Sequence, residues 1–165
     1  MIFFLEGLSQ VGKTTLTNKY LEKYSGAVRF KGSGAVNIGM QSRWQEYNFW
    51  MHNILERMDQ LNDYKVPILW DRGLTDVVYT EDDVYASELL RVIKSHIKKA
   101  VIYIDAPSAT LANRMTKEGH EFQRHKERYE AVVQSFPCHR ITLTGDCWIT
   151  DQHVEQMHEF IKSQI

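Results

Sequence analysis

The residue types best suited to chemistry open the chain. Gly7, Gly12, Lys13 and Thr14 stand in the spacing G-x-x-x-x-G-K-[ST], after the β-favouring run Ile2-Phe3-Phe4-Leu5 and before a helix-forming run at 15–22. A loop that wraps backbone N–H groups around phosphate oxygens needs the freedom of Gly7 and Gly12, and the helix behind it adds its positive end. Lys13 can bridge β- and γ-phosphate oxygens, while the Thr14 hydroxyl can ligate Mg2+. Ser9, Gln10, Val11 and Thr15 complete the residues expected around the nucleotide, so ATP and Mg2+ are the expected cofactors.

Two further acids follow apolar runs. The segment 66–70 leads into Asp71-Arg72-Gly73, and Ala100-Val101-Ile102-Tyr103-Ile104 leads into Asp105. Charges directly after a buried parallel strand lie at the carboxyl edge of the sheet, where open α/β folds bind ligands, so Asp71 and Arg72 are expected to face the phosphates. A third group of charges, Arg114, Lys117, Arg124, Lys126 and Arg128, is interleaved with Glu118, Glu121, Glu127 and Glu130. It reads either as a solvated helix face or as a cationic lid over about 114–128 that excludes water from a transfer site.

The elements that must position these groups alternate. A strand at 26–30 and a Gly-rich loop at 31–39 follow the first helix, and apolar residues recur at three- and four-residue steps over 38–61, predicting a long amphipathic helix. Then come a strand at 66–70, a helix at 85–97, a strand at 100–104, a helix at 109–117 capped by Ser108, a helix at 120–134, a strand at 140–143 and a helix at 151–162. Strand and helix in alternation imply an α/β, three-layer P-loop NTPase fold, a parallel sheet of about five strands with helices on both faces.

Composition bounds the rest. The 165 residues fit a single domain, and 43% hydrophobic with 25% charged residues is an ordinary globular balance. Lys and Arg number 20 against 21 for Asp and Glu, a formal charge of −1 that exerts no global pull on nucleic acid or an anionic membrane. The opening run is too short for a signal peptide or a membrane span and has no basic leader, so no membrane partner is expected. Cys138 and Cys147, nine residues apart, read as core thiols of a reducing compartment, hence a cytoplasmic setting. The pairs His120/His125 and His153/His158 are poorly spaced for a shared metal. The apolar side of the 38–61 helix could pair subunits into a homodimer or belong to the core.

With these residues in place, the chain resembles the thymidylate kinase and deoxynucleoside kinase group of P-loop kinases. Leu5-Glu6-Gly7 leading into Val11-Gly12-Lys13-Thr14-Thr15 resembles the first strand and loop of both branches. Asp71-Arg72-Gly73-Leu74-Thr75-Asp76, with Tyr79 behind it, resembles the D-R-Y segment of the former and the E-R-S segment of the latter, and Tyr103-Ile104-Asp105-Ala106-Pro107 with Leu111 and Arg114 resembles the approach to the thymidylate kinase lid. The resemblance implies that Asp71 lies near the acceptor oxygen, as a base or as a holder of Mg2+ through water. It implies that Arg72 meets the acceptor phosphate or the transferred phosphoryl group, and that Arg114 packs on adenine or borders the lid. Arg124 and Arg128 become candidates to close over the transferring phosphate, and Asp105 a Mg2+ ligand through water. Such parts are what an in-line phosphoryl transfer needs.

The departures bear on the acceptor. Thymidylate kinases place an acid where this chain has Ser9 or Gln10, and an Asp-Arg pair where it shows Tyr47-Asn48-Phe49-Trp50-Met51-His52. Trp44-Gln45-Glu46-Tyr47 instead resembles the aromatic-Gln-x-Tyr pattern by which deoxynucleoside kinases read the base, an aromatic face for stacking and an amide for the Watson–Crick edge. The expected partner is a small-molecule acceptor, a (deoxy)nucleoside monophosphate or (deoxy)nucleoside with a pyrimidine base favoured. The alternatives are a kinase acting on a base hydroxyl or an end in DNA or RNA, which the near-zero charge disfavours, and an NTP-hydrolysing switch or binding module, against which stands the lack of an N-K-x-D guanine motif. Gln45→Ala is expected to change chiefly which base is accepted, measured as the ratio of kcat/KM between pyrimidine and purine acceptors.

Overall fold

The computed structural model describes residues 1–31, 52, 55–56, 59, 61, 64–80, 82–95, 98–107, 119–144 and 148–165. Their elements in chain order are β1 (Ile2–Glu6), α1 (Lys13–Lys23), β2 (Val28–Lys31), β3 (Ile68–Asp71), α2 (Thr75–Tyr79), α3 (Asp83–Ser95), β4 (Lys99–Asp105), α4 (Gly119–Val133), β5 (Cys138–Thr142) and α5 (Asp151–Gln164). The strands form one sheet in the order β2-β3-β1-β4-β5, and every neighbouring pair is parallel. From β1 the chain builds β2 and β3 on one side and β4 and β5 on the other. The order therefore reverses at β1, and a crevice forms beyond its carboxyl end.

A central parallel strand is covered on both faces, which is why β1 reads as an unbroken apolar run. Ile2, Phe3, Phe4 and Leu5 are fully buried, and each contributes roughly 1.5–3 kcal/mol. Alternation divides them between two layers. Phe3 meets Phe160 of α5, with ring centroids 6.3 Å apart, while Phe4 meets Trp70 at 5.5 Å and Phe136, just beyond α4, at 6.2 Å. Carried across the register, Leu69, Asp71 and Arg29 share the α1/α5 face with Phe3 and Leu5. Trp70 and Tyr103 share the α2/α4 face with Phe4 and Glu6. The α1/α5 layer is held to itself as well: Tyr24, just beyond α1, stacks on His158 of α5 at 3.7 Å, and Lys19 pairs with Asp151 at 3.0 Å.

Several expectations change at their edges. Asp71 is the last residue of β3 instead of the first beyond it, and α3 starts two residues earlier than predicted because Asp82 Oδ1 accepts from the N–H groups of Val84 and Tyr85. The short helix α2 was not predicted. Its entry is fixed from outside the segment, by the Leu74 N–H donating to Glu6 Oε1 at 2.7 Å. Cys138 is no core thiol: it is exposed at the start of β5, an edge strand with a neighbour on one side only among the described residues. Cys147, the Ser108 cap, the 109–117 helix and most of the 38–61 helix, with the dimer face read from it, lie outside the described residues; His52, Leu55, Glu56, Asp59 and Leu61 of that stretch are helical.

Arg128, a candidate for the transferring phosphate, has partners at the end of α2 and on α3. Its Nη1 donates to the carbonyls of Val78, at 3.2 Å, and Thr80, and its Nη2 pairs with Asp83 at 2.9 Å. The terminal carbonyls of a helix have no partner within it, so this guanidinium closes α2 and ties it to α3 and α4. Arg128→Met is expected to lower stability by about 1–3 kcal/mol, a fall of several degrees in melting temperature, with kcat changed less than about threefold. A hundredfold loss of kcat at an unchanged melting temperature would return Arg128 to the site.

Candidate functional site

The loop between β1 and α1 is shaped by contacts that forbid side chains. Gly7 has φ 135°, and a Cβ there would lie 2.4 Å from the Ile104 carbonyl oxygen; Gly12 has φ 103°, and its Cβ would lie 2.8 Å from Ile149 Cγ1. Leu8 and Val11 are buried and anchor the loop, Ser9 is half-buried, and Gln10 is exposed with a left-handed φ of 60°. Thr14 and Thr15 lie exposed on the first turn of α1.

Lys13 lies inside this loop. Its ammonium donates to the carbonyls of Gly7 and Leu8, both at 2.7 Å. Burial pulls it down to about 8; the carboxylate of Glu6 opposes that pull, the Arg72 guanidinium adds to it, and Asp71 opposes it again. The loop therefore holds a partly desolvated cation between two acids, at the N-terminal end of a helix.

The site is assembled across the sheet. The Thr14 hydroxyl donates to Asp71 Oδ2 at 3.2 Å, and the same oxygen accepts from Arg29 Nη2 at 3.1 Å. Arg29 Nη1 reaches Asn18 Oδ1 of α1 at 2.9 Å. Asp71 Oδ1 is buried with no hydrogen-bond partner among the described residues. No group of three or more His, Cys, Asp or Glu residues that could hold a metal ion occurs among the described residues. One hydroxyl beside one carboxylate with an unmatched oxygen nevertheless suits Mg2+, which keeps several waters and takes further oxygens from a phosphate substrate. Thr14 and Asp71 are thus the described residues that fit it.

Arg72 stands next to them in the left-handed region, φ 64°, with its backbone N–H donating to the Leu5 carbonyl at 3.2 Å. It is exposed, and among the described residues no carboxylate or carbonyl accepts from its guanidinium. Beneath it lie the fully buried Glu6 and the buried Tyr129, whose phenol burial pushes well above its usual range.

Asp105 behaves differently from Asp71. It pairs with Lys126 at 3.0 Å and with Arg140 at 3.3 Å, and Arg140 also binds Glu130 at 2.7 Å and lies 4.8 Å over the Tyr103 ring. Register explains this: Asp105 follows Tyr103 by two residues and so shares the α4 face, whereas Asp71 lies on the α1 face with the loop threonine. The acid joined to Thr14 is Asp71, and the role of metal-water ligand expected for Asp105 falls to a carboxylate already taken up by two cations. Arg124 is exposed on α4; Arg114, Trp44, Gln45 and Tyr47 lie outside the described residues. Sequence reasoning missed Arg29 as a partner of Asp71. The available signal was the pattern Val28-Arg29-Phe30, in which alternation places a cation between two apolar residues of a strand bordering β3.

No family model and no curated protein matches the chain. Solved structures do. The YorR protein of Bacillus subtilis, in complex with phosphorylated GDP, is similar at TM-score 0.69 and 19% identity, over 98% of this chain and 96% of that one. Thymidylate kinase from Candida albicans is similar at TM-score 0.65 and 15% identity, covering 98% and 91% of the two chains, and deoxyadenosine kinase from M. mycoides with bound dATP at TM-score 0.64 and 15% identity, covering 98% and 100%. At such identities the likeness speaks for architecture, and with the parallel sheet and the loop geometry it establishes that the chain has the α/β fold of the P-loop kinases.

Proposed function

We propose that the chain, as one domain, is an ATP- and Mg2+-dependent kinase that phosphorylates a small nucleoside or nucleotide acceptor. The observation that carries this reading is the 3.2 Å contact between the Thr14 hydroxyl and Asp71. It joins the loop that suits a triphosphate to the strand end that suits an acceptor, 57 residues apart in sequence. The backbone N–H groups of the loop hold phosphate oxygens, and Lys13, already short of solvent, supplies a positive charge to the transferring group. Mg2+, when bound, neutralises charge developing on that group. Asp71 accepts a proton bond from the acceptor hydroxyl or from a metal-bound water, and Thr14 keeps its carboxylate at the mouth of the loop.

Arg72 favours a monophosphate over a nucleoside. A left-handed non-glycine costs of order 1–3 kcal/mol and persists where the surroundings over-determine it. Here it carries an exposed guanidinium with no accepting group among the described residues, beside the carboxylate of the site. A planar fork of donors suits a phosphate. Arg124 of α4 is proposed to close over the transferring phosphate, and Arg114, on the resemblance alone, to pack on adenine or border the lid. The pyrimidine preference rests on the Trp44-Gln45-Glu46-Tyr47 resemblance, and a cytoplasmic setting fits the exposed thiol of Cys138.

ADP release coupled to a panel of nucleosides and nucleoside monophosphates tests the reading, with a pyrimidine monophosphate expected to be turned over fastest. Absence of turnover with every acceptor would reject it. Lys13→Met and Asp71→Asn are each expected to cut kcat by roughly 10²–10³. They should differ in stability: removing a buried ammonium lifts a desolvation cost, so ligand-free Lys13→Met should melt at or above the wild-type temperature. Asp71→Asn leaves Arg29 without its counter-charge and should melt below it, as calorimetry of the three proteins would record.

A further inference from the structure

Arg29 is the one cation of the site that the motifs do not explain. It lies on β2, its guanidinium is mostly buried, with 19% of its side chain exposed, and it spans two elements: Nη1 to Asn18 of α1 at 2.9 Å and Nη2 to Asp71 Oδ2 of β3 at 3.1 Å. The register places it there. Arg29 is opposite Leu69 and Lys31 opposite Asp71, so Arg29 shares the face of the sheet that carries both Asp71 and α1.

We propose that Arg29 is a positioning residue of the transfer site, clasping Asp71 Oδ2 against Thr14 and thereby leaving Oδ1 as the oxygen presented to the metal-bound water. The inference rests on the kinase reading above and deepens it. A carboxylate with one oxygen held by two donors, the Thr14 hydroxyl and the Arg29 guanidinium, cannot rotate without losing both. The other oxygen is buried and has no hydrogen-bond partner among the described residues. Anchoring of Arg29 to Asn18 ties this orientation to α1, the same helix that begins with Lys13 and Thr14. Strand, helix and loop thus hold one carboxylate in register. Lysine would keep the charge, but a point charge on a flexible stem does not span both acceptors with the geometry of a planar fork. Groups that orient a metal's ligands typically alter metal affinity or activity about 10–100-fold when removed.

The test is a double-mutant cycle on the full chain with Arg29→Met, Asp71→Asn and the combined variant. Two readouts are taken: kcat with the best acceptor, and the Mg2+-dependent affinity of a non-hydrolysable ATP analogue by titration calorimetry, with EDTA as the metal-free arm. Arg29→Met is expected to weaken the Mg2+-dependent affinity by about 10–100-fold and to leave the affinity in EDTA within about twofold. Added to Asp71→Asn it should have little further effect, because it acts through that carboxylate. Arg29→Lys should recover part of the loss, and as a charge-conserving variant it keeps the test decisive if Arg29→Met folds poorly. Losses that add in the double variant, an Arg29→Met affinity equal to wild type, or full recovery by lysine would each overturn the proposal. Absence of turnover in the wild-type protein would reject the kinase reading alone, since the binding cycle reports on Arg29 without catalysis.

Discussion

A buried ammonium is the constraint around which this sheet edge is built. Lys13 is withdrawn from water at the point where β1 gives way to α1, and burial of a lone cation would be prohibitive. Its charge is met at short range by the Gly7 and Leu8 carbonyls and at longer range by Glu6 and Asp71. Those acids come from the ends of β1 and β3, strands paired through Leu5 and Asp71. Each acid has a second task. Glu6 holds the turn after β3, and Asp71 holds the Thr14 hydroxyl. The cation at this sheet edge is thus already desolvated, with two carbonyls and two acids set around it.

Two strands end in an acid at the same edge, and their neighbours give them opposite characters. Asp71 borders β2, which contributes one arginine, and the loop, which contributes a hydroxyl; one of its oxygens is left unmatched among the described residues. Asp105 borders β5 and α4, which contribute Arg140 and Lys126. With Arg128 bound to the end of α2 and Glu130 bound to Arg140, α4 from residue 126 to residue 130 is fastened to the sheet and to α2 by three of its charged side chains, Lys126, Arg128 and Glu130. Cationic spacing along a helix does not reveal this. Lys126 and Arg128 look equivalent to each other in sequence, and only the structure shows that one binds the end of β4 and the other the end of α2.

That difference also explains what was legible in the chain. The loop, the alternation of strands and helices, and the parallel sheet were readable because their signals are local: glycine spacing, apolar runs and helical periodicity. The convergence of Asp71 on the loop was readable because a strand end has a known place in such sheets. Arg29 and Glu6 were not assigned as partners of the site because their roles depend on register, which pairs Arg29 with Leu69 and Glu6 with Tyr103. The five residues of α2 carry too few turns for a periodicity, and their start depends on a carboxylate 68 residues away. Cys138 was misplaced because an apolar residue at a strand start reads as core unless the strand is known to be an edge.

The turn after β3 is where these effects can be weighed. Arg72 in the left-handed region costs of order 1–3 kcal/mol relative to an extended or helical backbone. Against it stand the Arg72 N–H bond to the Leu5 carbonyl and the Leu74 N–H bond to the buried Glu6 carboxylate, the second a bond to a charged group contributing about 1.5–3 kcal/mol. The bonds win, so the turn is held in place by the core beneath it. Gly73 completes the argument sterically: a Cβ there would lie 2.2 Å from Phe4 Cδ1, so no other residue lets the turn settle onto β1. The backbone of Arg72 is therefore held at the sheet edge by bonds and contacts of the main chain and its neighbours, and its side chain is exposed there.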